Sequence, residues 1–242
     1  MHTAGRRSNV HGLVELDVTD ARDAGRSIEG ETGEAPSFTA FLVNCLARAV
    51  DDHPDVNAYR DWRGRLHVFD DVDVNVLVET TVGGERIGVP HVLRRANDRS
   101  LRSLHDEIRA AQASADPTAL SRWAELGLRL PGPLRRLVWR LPQWFPRRWK
   151  ETAGTVAVTS VGMFGTGGGW ALGPTNYTVQ LTVGGIAEKP RIVDGAVEDR
   201  EILDLTVTVD HDIVDGAAAA RFVDRLRELV EAGHGLDSWD ER

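Results

Sequence analysis

Cysteine is almost absent from this chain of 242 residues, where Cys45 is the only one. A single thiol excludes a disulfide framework and a thiolate zinc site, and it fits a reducing compartment, so a cytoplasmic setting is expected. No stretch approaches the ~20 consecutive apolar residues that a membrane-crossing helix needs. The polar start, Met1 to Arg7, has no apolar region of the kind a secretion signal carries. Positive charge is not in excess either. The net charge of −8 and pI near 5.5 exclude general binding of nucleic-acid phosphates by a basic face. His53, His67, His91 and His105 stand apart without ligand spacing, so no metal is expected.

What is present is a core-forming chain, 41% apolar, in which strand and helix patterns alternate. Leu13 to Val18 alternates as a strand, and Asp17 with Thr19 and Asp20 starts a helix to about Ile28, followed by a loop over 29–36. Ser37 caps a helix through Val50, and Ser100 caps another through about Ser114. Further strands are predicted over Arg65–Phe69, Val72–Val78, Ile87–Leu93, Thr155–Ser160 and Thr178–Val183, with Pro90 marking an edge or bulge. A turn is expected at Gly83-Gly84 and a hairpin turn at Val193-Asp194-Gly195-Ala196. The whole reads as a single domain over 1–242.

The most informative segment runs from His211 to Gly216. Before it, Leu203, Leu205, Val207 and Val209 alternate with Asp204, Thr206, Thr208 and Asp210, the period of a strand with one buried face, and His211 continues the apolar side. After it, Phe222, Leu226, Leu229 and Val230 recur at helical spacing until Gly233. A rigid strand would hold the imidazole at a mouth toward solvent, which suits a general base near neutral pH. The same residues also allow a plainer reading: His211 as a structural histidine and Asp215 as the N-cap of the next helix.

Five segments in register tip the balance. Ser37 to Tyr59, with His53-Pro54 and Asn57-Ala58; Val89-Pro90 with Arg94 to Leu104; Gly154 to Gly165 (GTVAVTSVGMFG); Gly184 to Gly195; and Asp210 to Phe222 together resemble the catalytic domain of the dihydrolipoamide acyltransferases of 2-oxo acid dehydrogenase complexes. The resemblance implies a chloramphenicol acetyltransferase-like α/β (α+β) fold, a two-layer sandwich of a mixed β-sheet with helices packed on it. It also implies acyl transfer from a CoA-type thioester to a thiol, hydroxyl or amine. His211 would be the general base, and Thr159 would stabilise the oxyanion, with Ser160 as the adjacent alternative; strand alternation lets only one of the two face the site. Asp215 would hold the histidine loop through a buried pairing, and Gly216 would supply a conformation or close approach that a Cβ obstructs. The active site is expected between subunits of a homotrimer.

The chain also departs from the family pattern. The family's arginine partner for the histidine loop comes from an N-terminal helix, for which only Arg6 and Arg7 in a short leader are available. Asp212 stands where the family has Arg after the catalytic His, and an acidic neighbour favours the imidazolium unless it points away. No lipoyl-bearing segment is recognisable, so a stand-alone enzyme is expected, or one served by a lipoyl or carrier-protein arm on another chain. An insertion-like stretch, 121–150, holds Trp123, Trp139, Trp144 and Trp149 and eight basic residues against Glu125 alone. It is read first as a helical cap on the body, and otherwise as a dock for a phosphorylated cofactor, an acidic carrier or an anionic membrane. The run Gly165 to Gly169 lacks the Lys of a phosphate loop and is read as a flexible turn bordering the active-site channel, with Trp170 shaping the acceptor pocket. The rival to catalysis is a non-catalytic trimeric core that binds partners through the same fold.

Overall fold

In the computed structural model, residues 8–82, 85–114, 144–160 and 167–240 are described. Strand β1 covers Asn9–Asp17 and helix α1 Thr19–Thr32; α2 covers Phe38–Asp52, and a small hairpin follows with β2 at Ala58–Arg60 and β3 at Leu66–Val68. Then come β4 (Val74–Val82), β5 (Glu85–Leu93), α3 (Leu101–Ser114), α4 (Pro146–Ala153), β6 (Val156–Ser160), β7 (Val179–Val193), β8 (Ala196–Asp210) and α5 (Gly216–Glu231). The large sheet has the order β1-β8-β7-β6-β4-β5. Its inner pairs, β7 with β6 and β6 with β4, are parallel, and the outer ones are antiparallel. Pro90 lies on the edge strand β5, where its missing N–H costs no ladder bond.

The sheet and helices meet in one core. Val74, Val76, Val156, Val158, Leu181, Leu205 and Val207 face Phe41, Leu42, Leu46 and Phe222 of the helical layer. Helix α2 is buried over most of its length because nearly every residue from Ala40 to Val50 is small or apolar. Its start is fixed as expected: the Ser37 hydroxyl accepts from the Ala40 amide at 3.4 Å. Ser100 likewise accepts from the Ser103 amide at 3.3 Å.

Two departures from the sequence expectations follow from local chemistry. Helix α1 runs on to Thr32, past Gly30, and stops only where Gly33 takes φ 77° and donates to Glu29 O; Gly in a helix interior costs only about 1 kcal/mol, which the Arg22 and Arg26 contacts to Glu201 help offset. The β7–β8 hairpin is longer than its apolar runs suggested, fifteen residues per strand, closed by Asp194 (φ 51°) and Gly195 (φ 87°) at the expected turn.

The largest correction concerns β8. The polar residues of its second half do not face solvent: Asp204, Thr206, Thr208 and Asp210 are as buried as the apolar set. The segment at Gly167–Gly169 lies across this second face. The Gly169 amide donates to Asp204 Oδ2 at 2.6 Å, and the Gly185 amide donates to Gly169 O at 3.1 Å. The described part of the glycine run is therefore docked on the sheet, at the irregularity between Val183 and Ile186, and is not a free turn. Most of the Trp-rich stretch, and Arg6 and Arg7, lie outside the described residues. Among the described residues no helix is long and apolar enough to cross a membrane.

Candidate active site

Strand β8 ends at Asp210, and His211 opens the turn that leads to α5. The imidazole is exposed and does not continue the buried apolar side of the strand. The main chain of this turn is firmly tied. The His211 amide donates to Ser8 O at 2.8 Å, the Asp212 amide to Asp210 Oδ1 at 3.2 Å, and the Ile213 and Val214 amides to Asp210 O at 2.9 and 3.0 Å. Val214 is buried in the core and pins the far end of the turn. The result is an accessible imidazole on a backbone that has little freedom, which is what a general base needs.

Asp215 does not make a buried pairing. It is exposed, and its carboxylate caps α5 by accepting from the Ala218 amide at 2.8 Å. The Ala218 N–H lowers its pKa most; desolvation opposes this, while the Ala217 N–H and the charges of Arg221 and His211 add to the lowering. The capping alternative considered from the sequence is the one the structure has. Gly216 is the first residue of α5, and a Cβ built there meets nothing within 4 Å, so neither close approach nor positive φ requires the glycine. Its place is explained by the helix start alone.

Thr159 and Ser160 end β6, opposite Thr182 and Val183 of β7. Alternation puts them on different faces. Ser160 follows Val158 on the helix-facing side, and Thr159 shares the other face with Thr182 and Thr206. Within one chain Thr159 does not meet His211. Thr159 is level with Thr206 through the Thr182 pairing, five residues short of His211 and two strands to the side. At ~3.3 Å per residue and ~4.8 Å per strand, the separation is about 19 Å.

Trp170 is also remote from His211. Its indole N–H donates to Val14 O at 3.3 Å, and Lys189 lies over its ring at 5.4 Å. Val14 pairs with Leu205, so Trp170 sits beside the docked glycine segment rather than at the histidine turn of its own chain. Lys189 also contacts Asp204 at 2.8 Å and Glu15 at 2.6 Å. The groove of about 690 Å³ between α1 and α5 includes neither the histidine turn nor β6 in its lining. A cluster of Glu34, His105 and Asp106 has metal-like spacing. There, however, His105 Nδ1 accepts from the Ser37 amide, and Arg102 already pairs with Glu34 at 2.6 Å and Asp106 at 3.3 Å. A guanidinium holds the place a cation would take.

Sequence reading missed two partners of the histidine turn. Asp212 does not act on His211 as an unpaired acid: Oδ2 accepts from Arg60 Nη2 at 3.0 Å and Oδ1 from the Ser8 hydroxyl at 3.0 Å. Arg60 lies one residue beyond the segment that carried the family resemblance, and the signal for it was the acid at 212, which needs a counter-charge. It also missed Arg94 as a scaffold group: this arginine binds buried Asp73 at 2.8 Å and the carbonyls of Lys150 and Glu151, tying β4 and β5 to the end of α4.

Comparison with known proteins agrees with this architecture. The sequence profile of the family "2-oxoacid dehydrogenases acyltransferase (catalytic domain)" matches residues 3–123 and 149–236. The chain belongs to this family. It is 23% identical over 228 residues to the lipoamide acyltransferase component of the branched-chain alpha-keto acid dehydrogenase complex of Bacillus subtilis, covering 91% of this chain and 46% of that protein. The chain thus spans about half the length of the curated relatives it matches. Its fold is similar to a probable dihydrolipoamide acetyltransferase from Listeria monocytogenes (TM-score 0.71, 19% identity, 96% of this chain and 88% of that one). It is also similar to a chloramphenicol acetyltransferase (TM-score 0.57, 14% identity, 95% and 92%). The mixed sheet with its helical layer is the chloramphenicol acetyltransferase-like fold.

Proposed function

We propose that this protein transfers an acyl group, in the first instance acetyl, from a CoA-type thioester to a thiol, hydroxyl or amine acceptor, at sites shared between the subunits of a homotrimer. The observation that carries the reading is the exposed imidazole of His211 on a backbone tied at Ser8 and Asp210. In the reaction, His211 takes the proton of the acceptor as its lone pair attacks the thioester carbonyl. The tetrahedral oxyanion accepts a hydrogen bond from the Thr159 hydroxyl, and the intermediate then collapses by expelling the CoA thiolate. The thiolate takes the proton back from the imidazolium, leaving His211 neutral.

The assignment of Thr159 rather than Ser160 rests on its place on the face away from the helices. The separation of about 19 Å within the chain by strand geometry is the reason the hydroxyl is assigned to a neighbouring copy. A lipoyl or carrier-protein arm on another polypeptide is a second donor or acceptor of the same thioester or thiol chemistry. The segment 121–150 is taken as an insertion relative to the family, in keeping with a family match that omits residues 124–148.

The test is thiol release from acetyl-CoA with candidate acceptors, followed in the parent, His211→Ala, Thr159→Ala, and an equimolar mixture of the two variants refolded together. Mixed trimers restore sites that hold both groups. The expected result is loss of activity in each variant and partial recovery in the mixture. Equal rates in parent and His211→Ala would sink the general-base assignment, and a parent that releases no thiol above background with any acceptor would leave the non-catalytic core as the reading.

A further inference from the structure

Residues 211–215 carry two acids, and they have different employment. Asp215 is committed to the N-terminus of α5. Asp212 is the only side chain of this turn with hydrogen bonds to distant elements among the described residues, and it uses both oxygens: Oδ1 to Ser8, which leads into β1, and Oδ2 to Arg60 at the end of β2. Ser8 is engaged twice, since its carbonyl also accepts from the His211 amide at 2.8 Å. The histidine turn is therefore held from both sides, by one strand of the main sheet and one strand of the small hairpin.

Arg60 is well placed to hold it, because the hairpin is itself rigid. The neighbouring Tyr59 is buried and its hydroxyl donates to Gly154 O at 2.8 Å, while Ala58 O accepts from the buried Thr178 hydroxyl. On the other side, the buried carboxylate of Asp61 closes the turn by accepting from the amides of Arg63 and Arg65, both at 2.9 Å, and from Arg65 Nε at 2.8 Å. The arginine thus projects from a backbone with its own anchors, and its charge offsets the acid adjacent to the proposed base.

We propose that Arg60 is the positioning residue of the histidine turn, acting through Asp212: the ion pair fixes the direction in which the His211 imidazole is presented and cancels the negative charge beside it. This rests on the acyl-transfer reading for its kinetic consequences, but the clamp itself is a statement about the turn. A bound CoA would offer phosphates to an exposed arginine as well, and the two roles separate kinetically. A positioning residue affects kcat, whereas a phosphate contact raises KM for the thioester.

The test compares the parent with Arg60→Ala, Arg60→Lys, Asp212→Asn, and the exchanged pair Arg60→Asp with Asp212→Arg. Arg63→Ala serves as control, because Arg63 stacks on Trp62 at 4.7 Å and has no tie to the turn. Misplacement of a reacting group by about 1 Å costs on the order of 10²-fold, so a kcat loss of roughly 10-fold or more is expected for Arg60→Ala at unchanged KM. Arg60→Lys and the exchanged pair should recover most of it. In parallel, hydrogen exchange of the amides of residues 211–214 is read by mass spectrometry and should accelerate in Arg60→Ala and Asp212→Asn but not in Arg63→Ala. A rise in KM with kcat intact, or an exchanged pair no better than Arg60→Ala, overturns the positioning role. If the parent transfers no acyl group to any acceptor, the proposed function fails, and the exchange measurement alone then decides the clamp: unchanged protection refutes it.

Discussion

The docking of the glycine segment on the sheet can be tested by adding a single methyl group. A Cβ at Gly184 would overlap Gly169 O outright and come within 2.5 Å of Asp204 O. Both neighbours are backbone, one in the docked segment and one in strand β8, which is paired on both sides, so no side chain can swing away. Overpacking of this kind costs about 1–3 kcal/mol. Against it stands the reduced freedom of the unfolded chain when Gly becomes Ala, worth about 0.4–1 kcal/mol where the native conformation tolerates the change. The steric cost dominates, leaving Gly184→Ala destabilised by roughly 1–2 kcal/mol. For a domain of this size that is a fall in Tm of about 2–8 °C. The matched control is Gly173→Ala, where a Cβ meets nothing within 4 Å, and its Tm should stay level or rise slightly. Differential scanning fluorimetry or calorimetry reads both. The variant has a second signature: release of the segment frees the Gly169 amide from Asp204, so proteolysis near residues 167–170 should quicken. If Gly184→Ala melts at or above the parent and keeps its protease resistance, the segment does not lie on the sheet as described.

Asp215→Ala should lower Tm at neutral pH, whereas Asp215→Asn, which keeps an accepting oxygen, should lower it less. Because the folded Asp215 pKa is lowered, the charge-dependent part of its stabilisation is complete above the ordinary Asp value of about 3.9 and is lost as pH falls through the folded value. The Tm gap between parent and Asp215→Asn should therefore close in acid, and a gap that widens there contradicts the cap. Thr159→Ala should reduce the acyl-transfer rate by about 10²-fold or more, the cost of one oxyanion donor, while Ser160→Ala stays near the parent; the reverse ranking in a thiol-release assay would move the oxyanion role to the other face of β6. Cys45 is fully buried, and desolvation pushes its thiol far above the ordinary range. Iodoacetamide should leave it unmodified in the folded protein and label it on unfolding, as intact mass will show, and labelling at native stability would mean that α2 opens locally.

The parts of the fold legible in the sequence were those where a residue's neighbours in space are its neighbours in the chain. Ser37 and Ser100 announce helix starts because the amides they cap lie three residues on, and Asp194-Gly195 announces a turn because the required positive φ is local. The helix-facing side of the sheet was equally plain, since Val74, Val76, Val156, Val158, Leu205 and Val207 keep a period of two. The polar side of β8 was not, because its alternation of Asp and Thr is the same whether that face meets water or a segment from elsewhere in the chain. Only Gly184 and Gly185, opposite Gly167–Gly169, hinted that two backbones approach there. At the histidine turn the family signature located His211. The roles of Asp215, Gly216 and Asp212 depended on which partners the fold brings, and Arg60 reaches Asp212 from 152 positions away in the chain.

One consequence of the sheet order joins the two halves of the proposed site. His211 leaves β8 at the end where β8 pairs with Asn9 and Val179, and Thr159 leaves β6 at the level of Thr206, in the direction of the docked glycine segment. Both groups are carried by hydrogen-bonded strands of one sheet, so bringing them together inside a chain would mean breaking that sheet. The same rigidity favours a site shared between copies, because each surface is already formed before the two meet. On this reading the Ser8 and Arg60 contacts matter most at the subunit contact, where a turn tied on both sides can present its imidazole without first being ordered by its neighbour.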